Sequence, residues 1–188
     1  MKVVEKHPFW LRCLHWLNVP LFLLMIWSGL LIYWANDVYP GFFPQWFYDL
    51  FKMNFRLAEG LAIHFAVAWA FVLTGLVYTV YLFRTGHAKE LAPRVKAPAH
   101  GLFSAAQRVA YTGVLAVAAL EVLSGFAIHK PVQLQWLTRL LGGYETARLI
   151  HFVCMLVLSA FFFVHVLQVI RAGWNTFRAM VAGFEVRK

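Results

Sequence analysis

Four long apolar runs set the narrowest limits on how this chain of 188 residues folds. They cover about 14–35, 60–83, 106–128 and 148–170. A membrane-spanning helix needs roughly 20 apolar residues, and each run is long enough. Hydrophobic residues make up 62% of the chain and charged residues 13%, more apolar surface than one soluble domain of this size could bury. Because lipid offers no partners for backbone groups, the runs are predicted to be helices.

The predicted fold is therefore an all-α integral membrane protein, a four-transmembrane-helix bundle forming a single domain over 1–188. Two aromatic segments, 39–51 and 133–141, are predicted to be short interfacial pieces at the outer surface. Segment 173–186 is predicted to be an amphipathic helix on the cytoplasmic surface, with a frayed tail as the alternative. Its apolar face would consist of Trp174, Phe177, Met180, Val181 and Phe184.

The distribution of positive charge predicts the orientation. Four spans place both chain ends and the 84–105 loop on one side, with twelve of the 17 Lys and Arg residues and five on the other. The positive-inside rule then predicts that both termini are cytoplasmic. The net charge of +9 is thus assigned to a membrane surface and not to nucleic acid.

A weak internal repeat relates the two halves of the chain. Ser28-Gly29 closes the first apolar run and Ser124-Gly125 closes the third. Each is followed by a Gln-Trp pair and then by an Arg-Leu pair that precedes an Ile-His-Phe triplet, at His64 and at His151. The repeat predicts two helical hairpins of common design, with His64 and His151 in matching places near the outer surface. Chance similarity of apolar segments is the alternative.

Four histidines lie within or at the ends of the predicted spans: His15, His64, His151 and His165. His151 and His165 are fourteen residues apart, so they share a helix face about 21 Å apart along the axis. One metal ion cannot bind both. Matching depths predict two pairs, His64 with His151 near the outer surface and His15 with His165 near the cytoplasmic surface.

Two bis-histidine pairs in a helical membrane protein favour two b-type haems, because imidazole binds haem iron axially and the helices supply an apolar slot. A zinc site would need its ligands at one point, and a histidine proton relay remains an alternative. Glu121 is an acid inside the third span, where acids are costly. It is predicted either to support a histidine ring, to bond a structural partner or to carry protons.

The motif Arg12-Cys13-Leu14-His15-Trp16, together with Ile63-His64, Leu149-Ile150-His151 and His165, resembles a family of cytochrome b subunits. These are the formate dehydrogenase gamma subunit, the nickel–iron hydrogenase cytochrome b and the thiosulfate reductase cytochrome b type. The resemblance covers nearly the whole chain and implies that the four histidines are the haem ligands. It also implies electron exchange with menaquinone or ubiquinone near the cytoplasmic haem and with a redox subunit on the outer side.

The resemblance places the quinone pocket at the stretch before the third span, 103–108. It implies Ser104 and Gln107 as contacts, with Arg12, His165 and Arg171 at a similar depth. The alternative for Gln107 is a polar residue at the start of the helix that faces the lipid headgroups. Ser104 stands where formate dehydrogenase has an Asn. Related proteins imply a periplasmic molybdoenzyme of the sulfite-oxidase type as the partner. The outer loops 39–51 and 130–145 are the expected docking surface.

The predicted function is a membrane-anchoring dihaem cytochrome b that carries electrons between that partner and the quinone pool. One alternative is a self-contained quinol-oxidising cytochrome b that reacts with oxygen or superoxide without a partner. The other is a haem-free membrane anchor or transporter. A homo-oligomer is compatible with each.

Overall fold

The computed structural model describes residues 2–34, 44–85 and 102–187, with side chains described for 3–34, 44–85 and 108–186. Its elements are, in chain order, β1 (Lys2–Glu5), α1 (Phe9–Tyr33), α2 (Gln45–Leu50), α3 (Leu57–Arg84), α4 (Leu102–His129), α5 (Gln135–Leu140), α6 (Tyr144–Ala172), α7 (Trp174–Ala182) and β2 (Phe184–Arg187).

Four of these helices, α1, α3, α4 and α6, are long and apolar enough to cross a membrane. Within the most apolar window of each, only 6–11% of the residues are buried inside the protein. Large apolar side chains such as Trp69, Leu73 and Phe163 point outward, each more than 60% exposed. Surfaces of this kind suit lipid and not water. The prediction of an all-α membrane protein with four spans is confirmed.

The first compact unit comprises Met1–Val80 together with Met180–Lys188. At one end of α1, a core of Leu31, Trp34, Tyr48 and Met53 joins this helix to α2. The indole of Trp27 donates to the Phe51 carbonyl at 3.2 Å, which fixes the short helix further. In the other half of α1, the Thr74 hydroxyl of α3 donates to the Asn18 side-chain oxygen at 2.8 Å. Polar and apolar contacts therefore join α1 to its neighbours at both ends.

The second unit, Tyr81–Ala179, repeats this arrangement with α4, α5 and α6. Ala127, Leu137 and Ala147 form its core, one residue from each helix. The Thr138 hydroxyl donates to the Ala127 carbonyl at 3.2 Å. Each unit thus contains a long helix, a short helix and a second long helix. The short helices lie within the predicted interfacial segments, although residues 39–43 of the first segment lie outside the described part of the chain.

The chain ends pair with each other in the first unit. Strands β1 and β2 are antiparallel, with Val3 opposite Val186 and Val4 opposite Glu185. The predicted tail helix over 173–186 is therefore too long, because α7 ends at Ala182. Gly183 follows with φ +91°, a conformation that L side chains rarely adopt and that breaks the helix. The remaining residues form backbone hydrogen bonds with β1 instead of continuing the helix.

Candidate functional site

His64 lies on α3, and its Nδ1 atom is 3.0 Å from the Oγ atom of Ser28 on α1. The Ser28 hydroxyl donates its proton backward along its own helix, to the Leu24 carbonyl at 2.6 Å. Its oxygen then has lone pairs for a second partner. The ring nitrogen is consequently the donor, and the lone pair of the neutral imidazole lies on Nε2.

Gly29 lets the His64 ring lie close to the α1 backbone. A Cβ atom at this position would lie 3.4 Å from the Cε1 atom of His64, at the limit of ordinary contact. Ser28 thus supplies a hydrogen-bond partner for the ring, and the glycine after it supplies space.

The second unit contains the same arrangement. The Nδ1 atom of His151 on α6 is 3.2 Å from the Ser124 Oγ atom on α4, and Ser124 donates to the Leu120 carbonyl at 2.7 Å. A Cβ atom on Gly125 would lie 3.1 Å from the His151 Cε1 atom. The backbone carbonyl of Glu121 is 3.0 Å from the same Nδ1 atom. Because a carbonyl only accepts, His151 carries its proton on Nδ1.

The Glu121 side chain lies beside the same histidine. Its Oε1 atom is 3.4 Å from the Nε2 atom of His151. Its Oε2 atom is buried and has no hydrogen-bond partner within the described residues. Sequence reasoning expected Glu121 near a histidine ring or another partner, and the structure places it at His151.

The other two histidines are His15 on α1 and His165 on α6. His15 lies six residues after α1 begins, and its ring meets the edge of Trp16 with centroids 5.3 Å apart. His165 lies seven residues before α6 ends and stacks on Phe161 at 6.1 Å. His64 and His151 each lie seven residues after the start of their helices, α3 and α6. The predicted pairing of His15 with His165 and of His64 with His151 stays a prediction.

The predicted quinone residues have different surroundings. Arg12 is half-buried and donates to the Val181 carbonyl at 2.6 Å, so it holds α1 to the end of α7. Arg171 is exposed in the last turn of α6. Ser104 and Gln107 lie in the first turns of α4, but their side chains are outside the described part of the chain.

Ser28 and Ser124 are the site residues that sequence reasoning missed. The repeat had already marked both Ser-Gly pairs, each followed by a histidine in the next span. That signal indicated a shared design but not which side chains touch. The hydrogen bonds show that the repeated residues meet in each hairpin.

Comparison with known proteins shows which family the chain resembles. The family model described as prokaryotic cytochrome b561 matches residues 6–183. The chain is 34% identical over 199 aligned residues to the putative protein-methionine-sulfoxide reductase subunit YedZ1 of Azospira oryzae. That alignment covers 97% of this chain and 98% of the relative. No solved structure matches.

The matched region includes all four spans and all four membrane histidines. It confirms the resemblance to membrane cytochrome b subunits. The chain belongs to the prokaryotic cytochrome b561 family, and it is a multi-pass membrane electron-transfer protein of the type that carries b-type haem.

Proposed function

We propose that this chain is the dihaem membrane subunit of an oxidoreductase complex in the bacterial inner membrane, with both termini cytoplasmic. In this role it connects the quinone pool to a redox partner on the periplasmic side. The observation that carries the proposal is the repeated serine–histidine–glycine contact, present once in each hairpin. Packing alone does not explain a polar contact that is buried between apolar helices and occurs in both hairpins.

The donor set fits haem iron. With the proton on Nδ1, the Nε2 atom of His64 and of His151 would be the iron ligand. At His151 the iron would take the place of the Glu121 Oε1 atom, which is 3.4 Å from Nε2. The glycine beside each ring keeps the neighbouring backbone close to it. We assign His64 and His151 to one haem and His15 and His165 to the other. A b-type haem held by each histidine pair would supply one-electron transfer.

The partner is proposed from the relative. That protein is described as a subunit of a putative protein-methionine-sulfoxide reductase. By analogy, we assign this chain to a complex whose periplasmic subunit, a molybdoenzyme, reduces a sulfoxide. The balance is then complete: a quinol releases two electrons and two protons, and the sulfoxide takes up two of each to give a thioether and water.

The proposed docking surface lies in the outer segments 39–51 and 130–145. In the described part of these segments, α2 exposes Trp46 (63%) and Leu50, and α5 exposes Trp136 (65%) and Leu140. Exposed aromatic and aliphatic side chains on short helices suit an interface at the membrane surface.

The quinone is proposed to bind toward the cytoplasmic ends of the helices, at the level of His15 and His165. Arg12 lies in the first turn of α1, Arg171 in the last turn of α6, and Ser104 and Gln107 in the first turns of α4. Arginine side chains can donate to a quinone oxygen. Menaquinone or ubiquinone is the proposed substrate.

The test is a reduced-minus-oxidised absorption spectrum with haem quantification. We expect two b-type haems per chain in the wild type. His64→Ala and His15→Ala should each remove one haem, and a different one. His129→Ala is the matched control, because this histidine lies outside the proposed set and should retain both haems. A colourless wild-type protein would contradict the proposal and favour a haem-free anchor or transporter.

A second measurement separates the partnered function from a self-contained enzyme. Purified protein reduced with a quinol analogue should keep its reduced spectrum in air until an electron acceptor from the partner is added. Rapid reoxidation by oxygen alone would favour the self-contained quinol-oxidising cytochrome b.

A further inference from the structure

The two serines beside the histidines have a role of their own. We propose that Ser28 and Ser124 are positioning residues for two haem ligands. Ser28 fixes the tautomer of His64, and Ser124 shares the Nδ1–H group of His151 with the Glu121 carbonyl. The hydroxyl oxygen accepts the Nδ1–H group of His64 or of His151, and this directs the Nε2 lone pair toward the iron. The inference rests on the proposed function, in which these histidines bind haem.

The direction of the hydrogen bond follows from counting protons. A serine hydroxyl has one proton and two lone pairs. Ser28 is 2.6 Å from the Leu24 carbonyl and Ser124 is 2.7 Å from the Leu120 carbonyl, and both carbonyls accept only. With its proton donated in this way, each hydroxyl faces the ring with a lone pair, so the ring nitrogen donates.

Burial makes the arrangement specific. Ser28 and Ser124 are both 0% exposed, so water does not replace the hydroxyl if it is removed. A histidine that binds a metal through one ring nitrogen and donates the N–H group of the other to an acceptor is a stronger electron donor to the metal. A stronger donor stabilises the oxidised iron. Loss of the hydroxyl should therefore raise the reduction potential of the haem that His64 and His151 hold.

The experiment compares Ser28→Ala and Ser124→Ala with a matched serine. Ser159 on α6 also donates to a carbonyl four residues earlier, that of Met155 at 2.8 Å, but the described contacts do not join it to a histidine. Redox titration of each purified protein gives two midpoint potentials, assigned with the single-haem variants. We expect Ser28→Ala to raise the potential of the His64/His151 haem and to leave the other unchanged.

Ser124→Ala should shift the same haem in the same direction. His151 keeps its bond to the Glu121 carbonyl in this variant, so its tautomer should be retained. Ser159→Ala should shift neither potential, and Ser28→Thr, which keeps the hydroxyl, should restore the wild-type value. Haem binding by Ser28→Ala should weaken by about tenfold, as is typical when a partner of a metal ligand is lost.

The outcomes separate this proposal from the proposed function. Two haems in the wild type, with the same potentials in Ser28→Ala and Ser159→Ala, would overturn the positioning role and leave the ligand assignment intact. Wild-type protein without haem would contradict the proposed function. In that case, nitrogen-15 NMR of labelled histidine still tests the tautomer, and a proton on Nε2 of His64 would overturn the inference.

Discussion

At the residue scale, the membrane histidines show how a polar ring is accommodated in an apolar span. A serine in a helix commonly satisfies its proton on the carbonyl four residues earlier, as Ser28 and Ser124 do. The same oxygen then serves a ring on the neighbouring helix. One small side chain therefore satisfies itself and orients a second group, which lowers the cost of burying both.

The glycines beside the rings give the first prediction. In Gly125→Ala the new methyl group would lie 3.1 Å from the Cε1 atom of His151, so the ring must move. We expect apparent haem affinity to fall by about tenfold. Gly29→Ala should have a smaller effect, because its methyl group would lie 3.4 Å from His64. Haem titration of the two purified variants measures both values.

The control for this pair is Gly113→Ala on α4. A Cβ atom there meets no atom of the described residues within 4 Å. The Gly113→Ala variant should bind haem like the wild type. Equal losses in Gly113→Ala and Gly125→Ala would mean that the effect comes from the helix backbone and not from the ring.

The candidate histidines could be selected from sequence because an imidazole in an apolar run stands out. The acceptors of their Nδ1 protons could not, because serine is common in membrane helices and usually bonds only its own backbone. Glu121 shows the same limit. Its placement in a span indicated a special role, but only the structure shows its carboxyl 3.4 Å from His151.

At the element scale, Gly60 determines how closely α1 and α3 approach. A Cβ atom there would lie 2.9 Å from the Leu31 Cβ atom and 3.3 Å from the Ile32 backbone nitrogen. These atoms are near the backbone, so relief requires the helices to separate. We expect Gly60→Ala to lower the free energy of unfolding by about 1–3 kcal/mol.

Denaturant titration in detergent checks this value. Gly75→Ala on the same helix is the matched variant, since a Cβ atom there would have no neighbour within 4 Å in the part of the chain that the structure describes. It should be neutral or slightly stabilising, because alanine is the better helix former. Similar losses in both variants would show that close packing at Gly60 is not the cause.

The paired chain ends give a pH prediction. Burial and the neighbouring Lys6 lower the pKa of His7 below its ordinary value of 6.5; Arg12 lowers it further and Glu185 opposes the shift. The unfolded end therefore takes up the proton at a higher pH than the folded one. Stability from the neutral ring is complete above about pH 6.5 and is lost as the pH falls through that value toward the lowered pKa.

Hydrogen exchange measures this effect at the Lys6 amide, which donates to the Gly183 carbonyl at 2.9 Å. From pH 7.5 to 5.5, protection corrected for the intrinsic rate should fall, because the unfolded end takes up the proton first. His7→Gln should remove the dependence. An unchanged slope in that variant would show that His7 is not the cause.

The spans could be predicted from sequence because length and hydropathy alone decide whether a helix can cross a bilayer. The tail could not be predicted to the same degree. Periodicity over 173–186 favoured a helix throughout, and nothing local indicated that β1 would pair with Phe184–Arg187. Strand pairing between distant segments depends on tertiary contacts that a helical pattern does not report.

At the scale of the whole molecule, the repeat is symmetric for one histidine pair and broken for the other. Ser28 and Ser124 are 96 residues apart, and His64 and His151 are 87 apart. The residue 96 positions after His15 is Tyr111, and the residue 87 positions before His165 is Tyr78. The repeat therefore predicts the His64/His151 pair directly. The His15/His165 pair is predicted only from the matching depths of the two histidines, one in each hairpin.

Membrane orientation gives the last prediction. The side that holds the chain ends carries twelve of the 17 Lys and Arg residues, so it should face the cytoplasm. In a Cys13→Ala/Cys154→Ala background, Val132→Cys reports the opposite side, since Val132 is 82% exposed. Thr85→Cys, also exposed, reports the side of the chain ends. Neither substitution changes the charge balance.

A membrane-impermeant maleimide should label Val132→Cys in intact spheroplasts and Thr85→Cys only after permeabilisation. The opposite pattern would place Trp46 and Trp136 in the cytoplasm and require a cytoplasmic redox partner. It would leave the assignment of the four histidines unchanged, because the contacts around His64 and His151 do not depend on which side is outside. Labelling therefore tests the sidedness of the proposed electron path separately from its ligands.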